Sequence, residues 1–348
     1  MRPALRPALR PAKTVAFLTN QLGIRGTERV IYLLADACQT HFGWRPIIVV
    51  RLATMDHASD DQGRDVIDAF LRRFEHDVLF VDDAEIEDVM RQHCVDMCYI
   101  CTAGWQGSSI VPRAVPTLAH CVFTGEHDLG ATVHCGISDE VSCRVAPGHT
   151  PLPTLPNPVD LCYDVPVKST VRRDLGIPED AYVYGRHGGF DTFDIPFVHR
   201  AVIDVARTHP HIHFVFMHTR RFGPPLPNVH FLPKTMDPVA KIHFIDACDA
   251  MIHGRHQGET FGMAVAEFSV RRKPVLTWNG SVDRYHLDVL GDAAIAYDES
   301  TIHSLLQNTT HSSIPYEPSK YYWQFTIDRV MPVFRELVNV TCHVFHSM

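Results

Sequence analysis

The sequence predicts an α/β protein made of two Rossmann-like halves in tandem, and three observations predict it. Short apolar runs alternate with amphipathic stretches twice over, as strands and helices do in parallel sheets covered on both faces. A Pro-rich break, Leu155-Pro156-Asn157-Pro158-Val159-Asp160, separates the two series. The chain has 348 residues, enough for two separate cores.

The first half opens on the apolar run 14–19, a buried strand. A glycine loop follows over 20–28, in which Thr27 is placed to cap a helix and Glu28 to complement its positive end. Val30, Ile31, Leu33, Leu34 and Ala37 mark one face of that helix, and Gly43 stops it. Further strands are expected over 47–50, 78–81, 95–101 and 115–123, with a helix over 85–94. After the break comes a helix over 170–175, ended by Gly176-Ile177-Pro178. Strands then fall at 182–185, 213–218, 229–232, 250–253, 274–278 and 294–297, and helices start near Pro196, Asp237 and Thr260. The stretch 321–340 carries Trp323, Ile327, Val330, Phe334 and Leu337 on one stripe, with Pro332 inside it to kink or divide the helix. The expected organisation is therefore a disordered tail over 1–13, a first domain over 14–160, a second over 161–320 and a final helix over 321–348.

Composition narrows the function classes. Hydrophobic residues at 45% and charged residues at 21% describe a globular protein rather than a disordered one. A net charge of −8 argues against a general nucleic-acid binder, which needs a basic surface. No apolar run approaches the ~18–20 residues of a membrane span; a peripheral contact with an anionic membrane stays compatible with the chain. The R-P-A-L repeat of residues 1–13 has proline at every fourth position and no apolar centre, so neither a helix nor a signal sequence is expected. Ten cysteines with no structural zinc spacing read as small buried hydrophobes of a reducing, cytoplasmic compartment. Histidines are abundant enough that His253-Gly254-Arg255-His256 falls together by chance, and no metal site is expected.

The segment with the most chemistry is Glu259-Thr260-Phe261-Gly262-Met263-Ala264-Val265-Ala266-Glu267. It lies between a buried strand and the turn Arg272-Lys273-Pro274 that leads into another. Its two carboxylates flank a Gly turn, the second two helical turns beyond the first. With a helix starting near Thr260, unpaired N–H groups and the positive dipole end converge on an anion site. Glu259 stands beside those amides and Glu267 well inside the helix. Strand, loop, helix and strand is the unit that binds nucleotides at the carboxyl edge of a parallel sheet. A lone pair of glutamates at helical spacing also occurs on solvated faces, so context carries this reading.

Together these residues resemble the retaining GT-B glycosyltransferases of family four. The likeness rests on G-I-R-G-T-E-R at 23–29, L-P-N-P-V-D at 155–160, R-R-D-L-G-I-P-E-D-A at 172–181 and G-R at 185–186. It continues through N-V-H-F-L-P at 228–233, C-D-A at 248–250, E-T-F-G-M-A-V-A-E at 259–267 and K-P-V at 273–275. The resemblance implies two Rossmann-like domains facing across a cleft, the second holding a nucleoside-diphosphate sugar and the first an acceptor. It implies a hexosyltransferase-like enzyme that needs no cofactor beyond that co-substrate, acts on a glycan, lipid-linked or small-molecule acceptor, and retains anomeric configuration. By the same resemblance Glu259 contacts the sugar, Glu267 the ribose, and the amides of Phe261, Gly262 and Met263 the diphosphate, with Gly23 and Gly26 assisting. Arg186 neutralises the leaving group, and Leu232-Pro233 frames the base. His120, placed after a strand over 116–119, is the histidine expected near the anomeric carbon, with His127 or Glu126 as the alternatives. Trp278, Asn279, Asp283 and His286 either select the sugar or pack.

One departure stands out. The family places a Lys five residues after its Arg, and here that position is Asp191, with Arg255, Arg220 or Lys234 available to replace the charge. Two other readings follow from particular residues. Loss of that Lys suits a degenerate sugar-nucleotide-binding protein. Cys94, Cys98 and Cys101 have the C-x3-C-x2-C spacing of radical-SAM enzymes, but a strand would turn Cys98 and Cys101 to opposite faces.

Overall fold

The computed structural model describes residues 13–23, 26–54, 64–159, 169–235, 237–308 and 312–348. Contacts divide the chain into unit 1, Met1–Leu155 with Val330–Met348, and unit 2, Pro156–Arg329. The expected tail lies outside the described residues except for Lys13, whose carbonyl accepts from the Arg45 amide at 2.8 Å. Among the described residues, no helix is long and apolar enough to cross a membrane.

Unit 1 runs β1 (Thr14–Thr19), α1 (Gly26–Phe42), β2 (Arg45–Arg51), α2 (Arg64–Phe74), β3 (Val78–Val81), α3 (Ile86–Gln92), β4 (Met97–Thr102), β5 (Thr117–Cys121), β6 (Val133–Gly136) and α4 (Asp139–Cys143). Its strands form one parallel sheet in the order β3-β2-β1-β4-β5-β6. All six residues of β1 are buried, because both faces of the sheet are covered. Ala16 and Leu18 join Ile47, Val49, Cys98 and Ile100 in one apolar layer. Phe17 points the other way, toward Tyr99 at 5.4 Å and Phe334 at 6.3 Å.

Unit 2 runs α5 (Val171–Asp174), β7 (Tyr182–Arg186), α6 (Pro196–Thr208), β8 (Ile212–Met217), β9 (Val229–Leu232), α7 (Pro238–Ala247), β10 (Ala250–His253), β11 (Gly258–Glu259), α8 (Met263–Val270), β12 (Val275–Trp278), β13 (Asp283–Arg284), α9 (Tyr285–Leu290), β14 (Ala294–Tyr297) and α10 (Ile302–Gln307). Its main sheet is parallel in the order β9-β8-β7-β10-β12-β14, which repeats the strand order of unit 1. Tyr184, Phe214, Phe216 and Phe193 fill its core against Val198, Val202 and Val205 of α6. In both sheets the order reverses beside the first strand, at β1/β4 and at β7/β10. Ligands of such sheets sit outside the carboxyl ends of the strands at that point.

The last helix, α11 (Ile327–Ser347), follows a 3-10 turn over Tyr321–Phe325. It starts later than the sequence predicts, and it continues through Pro332, its sixth residue. From Val330 onward it belongs to unit 1, where Phe334 is fully buried and lies 5.8 Å from Tyr99. The segments by which the chain enters and leaves unit 2 are tied together, the Val159 amide donating to the Phe325 carbonyl at 2.8 Å. The radical-SAM reading fails on geometry. Cys94 is exposed, Cys98 lies in the apolar layer, and Cys101 is in register beside His120 in β5. The three thiols do not gather into a group that could hold a metal.

Candidate functional site

The carboxyl edge of the unit 2 sheet brings together the ends of β7, β8 and β10 with the loops that follow them. His253 ends β10, and the chain then loops over Gly254 to Gln257 into β11, whose second residue is Glu259. His253 Nε2 lies 3.2 Å from Glu259 Oε1, and Arg255 Nη1 donates to Glu259 Oε2 at 2.9 Å. The Glu259 side chain is 19% exposed, so it faces the edge without being fully hydrated. Burial pushes its carboxyl up, but the His253 hydrogen bond and the Arg255 charge outweigh that and hold it at about 2. Glu259 is thus a fixed anion at neutral pH, oriented through both oxygens.

Behind it runs a buried polar chain. Thr277 Oγ1 in β12 lies 2.9 Å from His253 Nδ1 and 2.9 Å from His286 Nε2 in α9. A hydroxyl has one proton, so it donates to one ring and accepts from the other, which ties the two tautomers together. His286 is fully buried, and burial together with the nearby His253 lowers it to about 3. His253 and Thr277 are site residues that the sequence reading passed over. The signal was the spacing His253-x5-Glu259, which closes a short loop onto its own strand end.

Between Glu259 and α8 the backbone turns through Gly262, whose φ of 87° and ψ of 61° are left-handed. This corrects the expected helix start near Thr260, since a left-handed residue cannot lie inside a right-handed helix. The helix begins at Met263. Tyr322 caps the turn from below by donating its hydroxyl to the Phe261 carbonyl. The Phe261 side chain is buried against Tyr322, Phe325 and Tyr285. Peptide groups 261–263 therefore form a fixed turn at the start of α8.

Glu267, expected at the ribose, has both carboxylate oxygens close to side chains of other elements. Lys241 of α7 donates to its Oε1 at 2.9 Å, and His187 Nε2 stands 2.9 Å from its Oε2. Its side chain is 5% exposed. Burial raises its carboxyl, but the Lys241 charge and His187 together hold it well below the usual range. It acts as an internal anion that fixes Lys241 and His187 beneath the edge.

Arg186, expected to neutralise the leaving group, ends β7 and is 4% exposed. Its Nη1 donates to Thr219 Oγ1 at 2.5 Å, and its Nη2 to the Gly189 carbonyl at 3.0 Å and Thr192 Oγ1 at 2.7 Å. Burial lowers it to about 10. The guanidinium organises the 187–192 loop, whose oxygens curl back onto it. Asp191, on that loop, pairs instead with Arg220 from the loop after β8. Leu232 ends β9, partly exposed, with Pro233 following it. Asp283 accepts from Gln257 Nε2 at 2.9 Å and is buried with His286, so both of these residues pack. Trp278 stands 5.2 Å from His256.

Unit 1 has its own carboxyl edge. The expected position of His120 after its strand is corrected here, because it lies inside β5 and is fully buried. Its Nδ1 is 2.6 Å from the Tyr99 hydroxyl, and burial lowers it to about 4. A strand residue alternates faces, and this one points into the layer beneath α11. His127 and Glu126 are the exposed residues, in the loop that follows β5. Gly23 lies in the loop after β1, whereas Gly26 is the first residue of α1, so Thr27 falls in the first turn rather than at the cap. Ile24 and Arg25 lie outside the described residues. Arg51 joins Asp83 to Asn20, and Asn20 donates to the Ser108 carbonyl at 3.0 Å, so the end of β2 and the loops after β1, β3 and β4 are fastened together.

No protein-family model matches the sequence, and neither does any curated protein. Solved structures do match in fold. HepE from Anabaena, in a complex with UDP and glucose, is 14% identical with a TM-score of 0.66 over 93% of this chain and 99% of its own. WaaG, a glycosyltransferase involved in lipopolysaccharide biosynthesis, is 13% identical with a TM-score of 0.57 over 96% and 95%. MnaA from S. aureus, in a co-structure with UDP, is 14% identical with a TM-score of 0.58 over 94% and 97%. The two parallel six-stranded sheets are those of the GT-B fold.

Proposed function

We propose that the chain is a glycosyltransferase that moves a sugar from a nucleoside diphosphate to an acceptor hydroxyl, with retention at the anomeric carbon. The observation that carries this reading is Glu259. It is a carboxylate held ionised by His253 and Arg255 at the switch point of unit 2, one turn before a fixed run of peptide groups at a helix start. A carboxylate so placed accepts hydrogen bonds from sugar hydroxyls, while the 261–263 amides and the positive helix end receive the diphosphate. The fold shared with proteins crystallised with UDP supports the same placement.

In the reaction the acceptor oxygen bonds to the anomeric carbon as the bond from that carbon to the phosphate oxygen breaks. The acceptor proton passes to the departing phosphate on the same face, which preserves configuration. This path asks for charge stabilisation of the diphosphate and positioning of both substrates more than for a protein nucleophile. We assign the stabilisation to backbone amides and arginine, with no resident metal. Acceptor contacts belong to unit 1, where Glu126 and His127 are exposed at the carboxyl edge. Glu267 acts indirectly, by fixing Lys241 under the nucleotide, rather than by touching ribose.

The test is a thermal-shift panel of UDP, GDP, dTDP and their sugars, with and without chelator. A nucleotide at a hundred times its dissociation constant stabilises the chain by about 2.7 kcal/mol. One chelator-insensitive shift, with slow hydrolysis of one sugar form, is expected and names the donor. No shift from any nucleotide defeats the reading.

A further inference from the structure

We propose that Arg220 is the cation that faces the donor diphosphate and that Asp191 is the anchor that holds it in place, an inference that rests on the donor-site reading above. The carboxyl edge of unit 2 needs a positive group near β7, and Arg186 does not supply one, because its fork is buried in the 187–192 loop. Arg255 is engaged by Glu259. Arg220 stands in the next loop, three residues beyond the end of β8, and β8 is the direct neighbour of β7.

Three ties fix it there. Its backbone amide donates to the Phe190 carbonyl at 2.9 Å, its guanidinium lies 5.5 Å from the centre of the Phe190 ring, and its Nε donates to Asp191 Oδ1. His218, in a left-handed conformation with φ of 49°, draws the same two loops together through Nδ1, 2.9 Å from the Gly188 carbonyl. An arginine has five N–H donors, and among the described residues neither Nη group of Arg220 takes part in a hydrogen bond. The fork is therefore oriented by one edge and open along the other, the geometry that binds phosphate oxygens in pairs. The side chain is 69% exposed. An ion pair that open contributes only ~0–1 kcal/mol to folding, so stability gives no reason for an aromatic, a carboxylate and a peptide bond to converge on one arginine.

Charge gives a reason. A bare carboxylate at position 191 repels a diphosphate, whereas a carboxylate neutralised by Arg220 presents the guanidinium outward in its place. The positive group arrives from the β8 loop instead of from position 191 itself.

Calorimetric titration of the full chain with UDP and with uridine separates the phosphate contact from the rest of the site. Arg220→Ala is expected to raise the UDP dissociation constant about tenfold, the scale of one charge-assisted contact, and to leave uridine unchanged. In the double variant Arg220→Ala/Asp191→Lys most of the UDP affinity is expected to return, because the ammonium then stands beside the same phosphate. Unchanged UDP affinity in Arg220→Ala overturns the proposal. An equal loss for UDP and uridine also overturns it, since that pattern marks a structural residue. If the unaltered chain binds no nucleotide in the panel, the donor-site reading itself falls, and this inference with it.

Discussion

His120 and Glu259 show how burial and partners decide what a titratable residue can do. Both are ionisable groups that face little water, Glu259 at the end of β11 and His120 inside β5. Glu259 has two cationic or hydrogen-bonding partners and stays charged, while burial outweighs the partners of His120 and keeps it neutral. The sign of the His120 effect is fixed by its depressed value of about 4. Between that pH and the ordinary histidine value of ~6.5 the unfolded chain binds a proton and the folded chain does not. Stability present above pH ~6.5 is therefore lost as pH falls toward 4, by an amount on the order of 3 kcal/mol. His120→Asn keeps a partner for Tyr99 and removes the titration, so its urea midpoint should fall less steeply over that window. An unchanged slope would show that other groups set the acid response. The place of Glu259 just before a helix was legible because the motif is contiguous in sequence. The inward turn of His120 was not, because it hinges on whether the strand ends at 119 or 121. The engagement of Glu267 by Lys241 and His187 was not either, since those partners come from distant elements.

At the scale of elements, the strands were legible to within a residue or two in most cases, because buried runs such as 15–18 and 214–217 carry an unbroken apolar signal. Helix starts were less legible. Met263 opens α8 because Gly262 adopts a conformation that apolar periodicity does not reveal. A Cβ on Gly262 would stand 3.1 Å from Glu259 Cβ and 3.2 Å from the Tyr322 hydroxyl, besides the strain of φ at 87°. Gly262→Ala is expected to destabilise unit 2 by about 1–3 kcal/mol. Gly43→Ala is the matched control, for Gly43 is also left-handed, with φ of 64°, but its Cβ would meet nothing within 4 Å. Equal losses in the two variants, read from their melting curves, would mean that crowding at Gly262 counts for nothing.

At the scale of the whole molecule, the doubled α/β series was legible because each half repeats the same alternation on either side of a proline-rich break. Which unit the final helix completes is a matter of its buried face. Phe334 closes over Phe17 and Tyr99, and a side chain of this size stabilises by roughly 1.5–3 kcal/mol when buried. Val330, Met331, Leu337 and Val338 are buried with it. A chain stopped after Arg329 should therefore keep the cooperative melting of unit 2 and lose that of unit 1. Scanning calorimetry that still showed two transitions would refute this.

The same arrangement bears on the order of events during synthesis. Unit 2 interrupts unit 1, and its entering and leaving segments are already paired through Val159 and Phe325. The ribosome begins unit 1 first, yet α11 emerges only after all of unit 2. The inserted unit can reach its final form while the apolar layer around Phe17 and Tyr99 still waits uncovered. For that interval the nascent first unit is the part of the chain most exposed to misassociation and most in need of a chaperone.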